Sequence, residues 1–153
     1  VATTVPLTRN WRVFKKNLDA QQASGGGDGP EGVEKGVEVC LMKMGWKKKS
    51  SKSIVIIADA PPHKPDLPRF ETLAKGSKKL KVVIHGLYPR AVVPDIDTYV
   101  KISGGQSSTM QSDTQFLKSF LLLIFGAGLE PYLTGFLDIY LDIANDLKGK
   151  ARK

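Results

Sequence analysis

The stretch IVIIADAPPH, from Ile54 to His63, decides how this chain is expected to fold. Its apolar, β-branched beginning is typical of a central parallel strand, because helices cover both faces of such a strand. Asp59 follows at the carboxyl end of the strand, where the loops of an open α/β sheet form a crevice. The stretch therefore predicts a buried strand that leads into a candidate site.

Helical patterns and a second apolar run lie on either side of this stretch. Apolar residues recur at helical spacing from Val33 to Met44, from Leu67 to Ser77 and from Pro94 to Gly104. The run from Val82 to Ile84 predicts a second buried strand, parallel to the first and joined to it by the helix of Leu67 to Ser77. This alternation predicts the fold class: α/β, with a doubly wound (Rossmann-like), mostly parallel sheet.

Weaker patterns precede these elements. Thr3 to Leu7 indicates the end of a strand, and Asn10 to Gln22 has the apolar spacing of a helix. Pro30 suits the first turn of a helix, because its missing N–H would be unpaired there in any case. Glu31 would then lie favourably against the positive end of the helix dipole.

The last third of the chain predicts two more helices. Ser112 and Gln115 have the spacing of a capping box ahead of a helix from Asp113 to Phe125. A further helix, Leu129 to Leu147, carries a broad apolar stripe that must be buried against this domain or against a partner subunit. The stripe consists of Tyr132, Leu133, Phe136, Leu137, Tyr140, Ile143, Ala144 and Leu147.

The chain is basic, with 23 Lys and Arg against 15 Asp and Glu and a formal net charge of +8. Such a charge favours an anionic partner, which could be nucleic acid, a membrane surface or an acidic protein face. Two lysine clusters directly precede the two strands and are expected at the amino-terminal edge of the sheet, either as a solvated rim or as a docking face for RNA or acidic protein. These two clusters are Lys47, Lys48, Lys49 and Lys52, and Lys75, Lys78, Lys79 and Lys81; a third basic cluster, in the tail, consists of Lys148, Lys150, Arg152 and Lys153.

Cysteine and histidine are scarce. Cys40 is the only cysteine, which excludes an intrachain disulfide, and with only His63 and His85 the sequence gives no support for a zinc site. A single cysteine favours a reducing location, intracellular, cytoplasmic or nuclear, over secretion. We interpret Cys40 as a buried, inert thiol and His85 as a structural histidine. The sequence has no nucleophile motif and no phosphate-binding loop, so we expect that the chain is not an enzyme. It also has no apolar run of about 20 residues, so we expect no membrane-spanning helix.

Two motifs carry a resemblance to a known family. ASGGGDGPEGVEKGVE, from Ala23 to Glu38, precedes IVIIADAPPH at a matching spacing. The ordered pair resembles the von Willebrand factor A-type (VWA) domains found beside atypical α-kinase domains and in related protist proteins. YVKISGG followed by SDTQFL is similar to the last strand-and-helix unit of that domain. The resemblance covers residues 1–125, the C-terminal two-thirds of such a domain, and residues 126–153 add a helix and a basic tail.

The resemblance implies a metal-ion-dependent adhesion site that holds Mg²⁺ at the carboxyl end of the sheet. Asp59 matches the aspartate of the third ligand loop, and Asp28 lies where the second loop has threonine; Asp28 has the alternative role of capping a helix. The first loop, Asp-x-Ser-x-Ser, occurs nowhere in the sequence. We therefore expect Mg²⁺ not to be held by this chain alone. We also expect the missing strands to come from further sequence or from another chain, because the Ile54 strand would otherwise have an open flank.

Together these features predict a non-catalytic protein–protein interaction module within a larger assembly, with a degenerate adhesion site. One alternative is a basic structural scaffold that contacts RNA or another anionic partner. A further alternative, implied by the resemblance, is the accessory domain of an atypical α-kinase. The predicted partner-binding residues are Lys47, Lys48, Lys49, Lys78, Lys79, Tyr132, Phe136 and Tyr140, and the predicted metal ligands are Asp28 and Asp59.

Overall fold

The structure is a computed structural model that describes residues 4–21 and 29–150. Its strands are β1 (Lys52–Ile57), β2 (Val82–Tyr88) and β3 (Ser107–Thr109). They form one sheet in the order β1-β2-β3, and both pairings are parallel. The predicted α/β architecture with neighbouring parallel strands is therefore confirmed.

Helices connect the strands and cover the sheet. The α-helices are α1 (Trp11–Asp19), α2 (Val33–Lys43), α3 (Leu67–Lys79), α4 (Pro94–Ser103), α5 (Asp113–Phe125) and α6 (Glu130–Lys150). Two short 3-10 turns, Lys64–Asp66 and Ala127–Leu129, precede α3 and α6. As predicted, α3 is the crossover from β1 to β2, and α4 makes the corresponding connection to β3.

One face of the sheet forms the main hydrophobic core. Ile54 and Ile56 of β1 and Ile84 of β2 point to this face and pack under α2, α3 and α4. Phe70 of α3 lies against Tyr99 of α4, with ring centroids 4.4 Å apart. Burial of this kind of side chain, at about 25 cal/mol per Å² of apolar surface, is the main stabilising contribution to such a domain.

The opposite face is covered less evenly. Leu87 of β2 is fully buried on it, whereas its register partner on β1, Ile57, is 51% exposed. α5 covers this face near β3, where the Ser108 hydroxyl donates to the Ser119 hydroxyl at 3.0 Å. α6 packs on α5 through two buried leucines, Leu133 and Leu137.

Polar contacts fix the junction between β2 and α4. The Ser103 hydroxyl accepts from the Ile84 N–H at 3.0 Å and donates to the Val100 carbonyl at 2.7 Å. Gly105 follows, and a Cβ there would lie 1.7 Å from the Ile84 carbonyl oxygen. This close backbone approach therefore requires glycine.

The predictions for the N-terminal region are partly wrong. Residues 4–7 form no strand. α2 begins at Val33, so neither Pro30 nor Glu31 lies in its first turn. The reason is that the Glu31 N–H donates to the Pro61 carbonyl at 2.8 Å, which holds this segment extended beside the loop after β1.

Several helix ends agree with the sequence. Asn10 caps α1 by accepting from the N–H groups of Arg12 and Val13. Ser112 caps α5 by accepting from the Gln115 N–H, as the capping box predicts. The Gln115 side chain, however, accepts from the N–H of Gln111 and not from that of Ser112.

Candidate functional site

A crevice lies at the carboxyl ends of β1 and β2. Asp59 and Pro61 line it from the loop after β1, and Arg90 and Asp95 line it from the loop after β2 and the start of α4. Asp59 is exposed, as its place at the end of the strand predicted. The crevice is thus open and lined by charges of both signs among apolar residues.

The described residues around this crevice do not complete the implied metal site. Asp28, the second predicted ligand, lies outside the described residues. Within residues 4–21 and 29–150, no group of three or more His, Cys, Asp or Glu side chains is arranged to hold a metal ion. Mg²⁺ prefers six oxygen ligands and keeps several waters. The described residues therefore do not fit a complete site, and Asp59 remains a single predicted ligand.

The outer edge of β1 is open. In the described part of the chain β1 pairs only with β2, so one row of its backbone groups has no strand beside it. The Gly86 N–H and the Tyr88 carbonyl form hydrogen bonds on the β3 side of β2. The backbone N–H and C=O groups of the alternate residues of β2, including His85, therefore point toward β1. The register of Val55 with His85 then directs the backbone of Ile54 and Ile56 toward β2. The N–H and C=O groups of Val55 and Ile57 consequently face the open edge.

An apolar groove of about 490 Å³ runs along this edge, between β1 and α2. We call it the edge groove. On the helix side, Gly36 has no atom within 4 Å of the position that a Cβ would take, so the space beside it is empty. Half-buried Cys40 also lines the groove, and burial raises the pKa of its thiol. The remaining lining residues are Glu31, Gly32, Val33, Val37, Ile54, Val55, Ile56, Ile57, Ala58 and Asp59.

Charged residues of the edge groove lie at one end of it. Glu31 and Asp59 line the end near the carboxyl terminus of β1. Lys52 begins β1 and is preceded by Lys47, Lys48 and Lys49, but none of these lysines lines the groove. The groove is therefore apolar along its length and acidic at one end.

A buried carboxylate lies in the first turn of α2. Glu34 is fully buried, and neither of its carboxylate oxygens has a hydrogen-bond partner. On the next turn, Glu38 accepts from the Arg69 guanidinium at 2.5 Å, and this hydrogen bond lowers the pKa of Glu38. A buried carboxylate without a hydrogen bond costs stability, and the contact of Glu34 with the charge of Arg69 is electrostatic only.

The basic residues that precede β1 and β2 lie at the same edge of the sheet. The register pairs Lys52 with Val82, so the loops before the two strands are neighbours. This basic rim, exposed except for half-buried Lys52, consists of Lys47, Lys48, Lys49, Lys52, Lys78, Lys79 and Lys81. Lys75 is set apart, because it pairs with Glu71 at 2.6 Å. The arrangement is the one that the sequence predicted, at the edge opposite Asp59.

The apolar stripe of α6 is divided between the protein interior and the surface. Leu133 and Leu137 are each 4% exposed, because they pack on α5. The predicted partner-binding residues Tyr132, Phe136 and Tyr140 are exposed, together with Ile139 and Ile143, and the rings of Phe136 and Tyr140 stack at 6.3 Å. We call these five exposed residues the α6 apolar surface. Of the tail cluster, Arg152 and Lys153 lie outside the described residues.

Sequence reasoning predicted an open flank beside the Ile54 strand, but it missed the groove that α2 forms along that flank and the isolation of Glu34. Gly36 was the available signal for the groove, because a glycine inside a predicted helix has no side chain to fill the space beside it. For Glu34 the signal was its spacing of three residues from Val37 on the buried side of α2. His85 behaves as predicted: its Nδ1 accepts from the Gln106 N–H at 3.3 Å, and burial lowers its pKa.

Comparison with known proteins supports the fold. No protein-family model and no curated protein matches the sequence. Among solved structures, a crystal structure of the SpRpn10 VWA domain is similar, with a TM-score of 0.57 and 16% sequence identity. The match covers 76% of this chain and 61% of that chain, so this chain spans less than two thirds of the VWA domain that it resembles. The chain thus has a VWA-like α/β fold. In the part that the structure describes, no helix is both long and apolar enough to cross a membrane.

Proposed function

We propose that this chain is a non-catalytic protein–protein interaction module that works within a larger assembly. VWA-like folds often serve as interaction modules, and the likeness to the SpRpn10 VWA domain supports this class of function through the fold alone. The observation that carries the proposal is the α6 apolar surface. Apolar residues this exposed and this close together mark interaction sites on soluble proteins.

The geometry of α6 gives the proposal its detail. Leu133 and Leu137 anchor one side of the helix on α5, so the helix is held in place. Tyr132, Phe136 and Tyr140 then point away from the domain with exposures of 75%, 56% and 49%. Tyrosine and phenylalanine contribute much of the binding energy when a partner excludes water from them. The domain therefore presents an exposed aromatic surface to another subunit.

The experiment is purification of the tagged chain from the cells that produce it, with light scattering of the product and mass spectrometry of what co-purifies. We expect a complex of defined stoichiometry that the double variant Phe136→Glu/Tyr140→Glu no longer forms. Asp138→Ala/Asp142→Ala, on the polar side of the same helix, is the matched control and should keep the complex. A chain that elutes as a lone monomer in both forms would contradict the proposal.

For the metal, we propose that any Mg²⁺ lies near Asp59 and takes its other ligands from water or from residues beyond the described ones. Bound there, the ion would supply a Lewis-acidic contact for a partner carboxylate. Titration of Mg²⁺ into the isolated chain should show weak binding at most. Tight, stoichiometric binding that Asp59→Ala abolishes would contradict this expectation.

A second candidate function is a basic structural scaffold, favoured by the basic rim. Parallel pairing gathers the lysines before β1 and β2 at one edge of the sheet, which suits contact with RNA phosphates. Such binding depends weakly on sequence and strongly on salt. Charge reversal at Lys48 and Lys79 should then remove RNA binding while the co-purifying proteins stay bound. The motif pair also keeps open a third candidate, the accessory domain of an atypical α-kinase.

A further inference from the structure

We propose that Ser50 and Ser51, in the loop between α2 and β1, form a phosphorylation site, and that phosphate there switches off contact between the basic rim and RNA. The modifying enzyme is a serine kinase that recognises lysines ahead of its acceptor residue. The modification site goes beyond the proposed function, and the switch rests on the second candidate function, the basic scaffold.

The first argument is the charge pattern around the two serines. The segment from Lys47 to Lys52 reads KKKSSK, so each serine has lysines two and three residues before it. Kinases select their substrates partly by the pattern of charges beside the acceptor. A kinase whose substrate groove is lined by carboxylates therefore fits this segment, which contains no acidic residue.

The second argument is access to the hydroxyl groups. Trp46 anchors the start of the loop, because it packs against the core and its indole N–H donates to the Cys40 carbonyl at 2.8 Å. Residues 47–51 then lie exposed, outside any helix or strand. The Ser50 hydroxyl donates to the Lys47 carbonyl at 2.9 Å in an exposed turn, and one such bond is broken at little cost. The segment can therefore extend into a kinase groove.

The other serines near these lysines lack such access. Ser77 lies within the second lysine cluster, but it is fully buried in α3 and its hydroxyl donates to the Ala74 carbonyl at 2.8 Å. Ser53 is half-buried and belongs to β1. Exposure thus distinguishes Ser50 and Ser51 from these two neighbours.

The reaction is transfer of the γ-phosphoryl group of ATP. The serine Oγ attacks the γ-phosphorus, and an O–P bond forms while the bond from that phosphorus to the β-phosphate oxygen breaks. ADP leaves, and the hydroxyl proton passes to a carboxylate base of the kinase. Each phosphoserine carries a charge of about −1.5 to −2 near neutral pH. Two of them therefore offset most of the positive charge of the segment.

The third argument is the position of the loop beside the second lysine cluster. Lys52 is paired with Val82, so the residues before them, Ser51 and Lys81, begin the two strands side by side. Neighbouring strands lie about 4.8 Å apart, which brings a phosphate on Ser51 within reach of Lys81. Charge-assisted hydrogen bonds then occupy lysines of both clusters, and the phosphate repels the phosphates of RNA.

The first test measures phosphate incorporation. The full chain is incubated with ATP and the catalytic subunit of cyclic-AMP-dependent protein kinase, and the modified residues are located by mass spectrometry. We expect incorporation at Ser50 or Ser51 that Ser50→Ala/Ser51→Ala abolishes. Ser77→Ala is the matched control and should keep full incorporation, because the buried Ser77 is not an acceptor.

A second set of variants tests the role of the lysines in kinase recognition. Lys47→Gln/Lys48→Gln/Lys49→Gln should lower the rate of incorporation at limiting substrate at least about tenfold, since the kinase then loses the charges that it selects. Lys78→Gln/Lys79→Gln is the control, because these lysines belong to the basic rim but do not precede the two serines. Equal rates in both variants would show that the lysines do not direct the kinase.

The switch is tested with a short fluorescent oligouridine RNA and anisotropy. Ser50→Asp/Ser51→Asp and the phosphorylated chain should bind at least about tenfold more weakly, and the slope of log K against log salt should fall by about 1–2. Gln111→Asp/Ser112→Asp adds the same charge at the opposite edge of the sheet, where aspartate still caps α5. It should change the affinity by less than about twofold at 0.1 M salt, where the screening length is about 10 Å.

Each outcome decides part of the inference. Incorporation that Ser50→Ala/Ser51→Ala leaves unchanged, or none at all, overturns the modification site. Incorporation at these serines with equal RNA binding before and after overturns the switch. An unmodified chain that binds no RNA overturns the switch together with the scaffold function, whereas the modification site stands on the mass spectra. The interaction module is judged separately, by the complex that Phe136→Glu/Tyr140→Glu removes.

Discussion

β1 and β2 are neighbours with similar apolar sequences, yet their surroundings differ. β2 is paired on both sides, and from Ile84 to Tyr88 each of its residues is buried. Among the described residues β1 is paired on one side only, and Ile57 is 51% exposed beside fully buried Leu87. An apolar run therefore predicts that a strand forms, whereas the number of its neighbours decides how much of it is buried.

The largest effect on stability should distinguish Leu87 of β2 from its register partner Ile57 of β1. Leu87→Ala removes a fully buried side chain and should lower the free energy of unfolding by about 2–5 kcal/mol. Ile57→Ala removes a half-exposed one and should cost less than about 1 kcal/mol in the isolated chain. Urea unfolding followed by circular dichroism measures both. Equal losses would show that β1 is as enclosed as β2.

The next largest effect on stability should come from a buried hydrogen bond of β2. Ser103→Ala removes the hydroxyl that accepts from the Ile84 N–H and should cost about 1–3 kcal/mol, because a buried donor loses its partner. Ser77→Ala is the control, since the equally buried Ser77 hydroxyl only donates to the Ala74 carbonyl within α3. We expect the control to change the free energy of unfolding by less than about 0.5 kcal/mol. A comparable cost in both variants would contradict the role of Ser103.

A substitution in α2, which lies beside β1, should raise the free energy of unfolding and not lower it. Glu34→Met replaces a buried carboxylate that has no hydrogen-bond partner and should raise the free energy of unfolding by about 1–3 kcal/mol. Glu38→Met removes an exposed ion pair with Arg69 and should instead be neutral or slightly destabilising. The same urea titrations apply, and destabilisation by Glu34→Met would mean that the carboxylate has a stabilising partner.

The smallest effect is a dependence on pH at the centre of the sheet. Burial lowers the pKa of His85 below its ordinary value of 6.5, so the unfolded chain binds the proton more readily. The part of the folding stability that depends on neutral His85 is fully present above about pH 6.5. It is lost as the pH falls from there toward the lowered pKa. His85→Gln should remove this part of the loss, by less than about 1 kcal/mol between about pH 7.5 and 5.5. Identical pH profiles in both proteins would show that His85 does not contribute.

The sequence predicted the elements whose patterns are local. α3, α4 and α5 lie where apolar spacing and capping residues placed them, and β1 and β2 begin within two residues of their predicted positions. The apolar pattern did not predict β3, because Ser107–Thr109 is polar and pairs with β2; only the resemblance implied a last strand-and-helix unit in this region. A strand that forms because it pairs with a neighbouring strand need not contain an apolar run in its sequence.

The candidate site was predicted less completely, because it depends on contacts between distant segments. Asp59 could be placed from the end of one strand. The edge groove required the position of α2, and the extended backbone of Glu31 depends on a bond to Pro61, thirty residues away in the chain. The α6 stripe was predicted as a whole, but only the packing on α5 separates Leu133 and Leu137 from their exposed neighbours.

The capped helix α1 has a consequence for how the protein opens. No residue of α1 is buried, and Trp11, Phe14 and Leu18 are exposed along one side. The helix can therefore unwind without disturbing the sheet, at little more than the cost of its own nine-residue hydrogen-bond ladder. Its amide protons should exchange with solvent deuterium far sooner than those of β2, whose protection reports the unfolding of the whole domain.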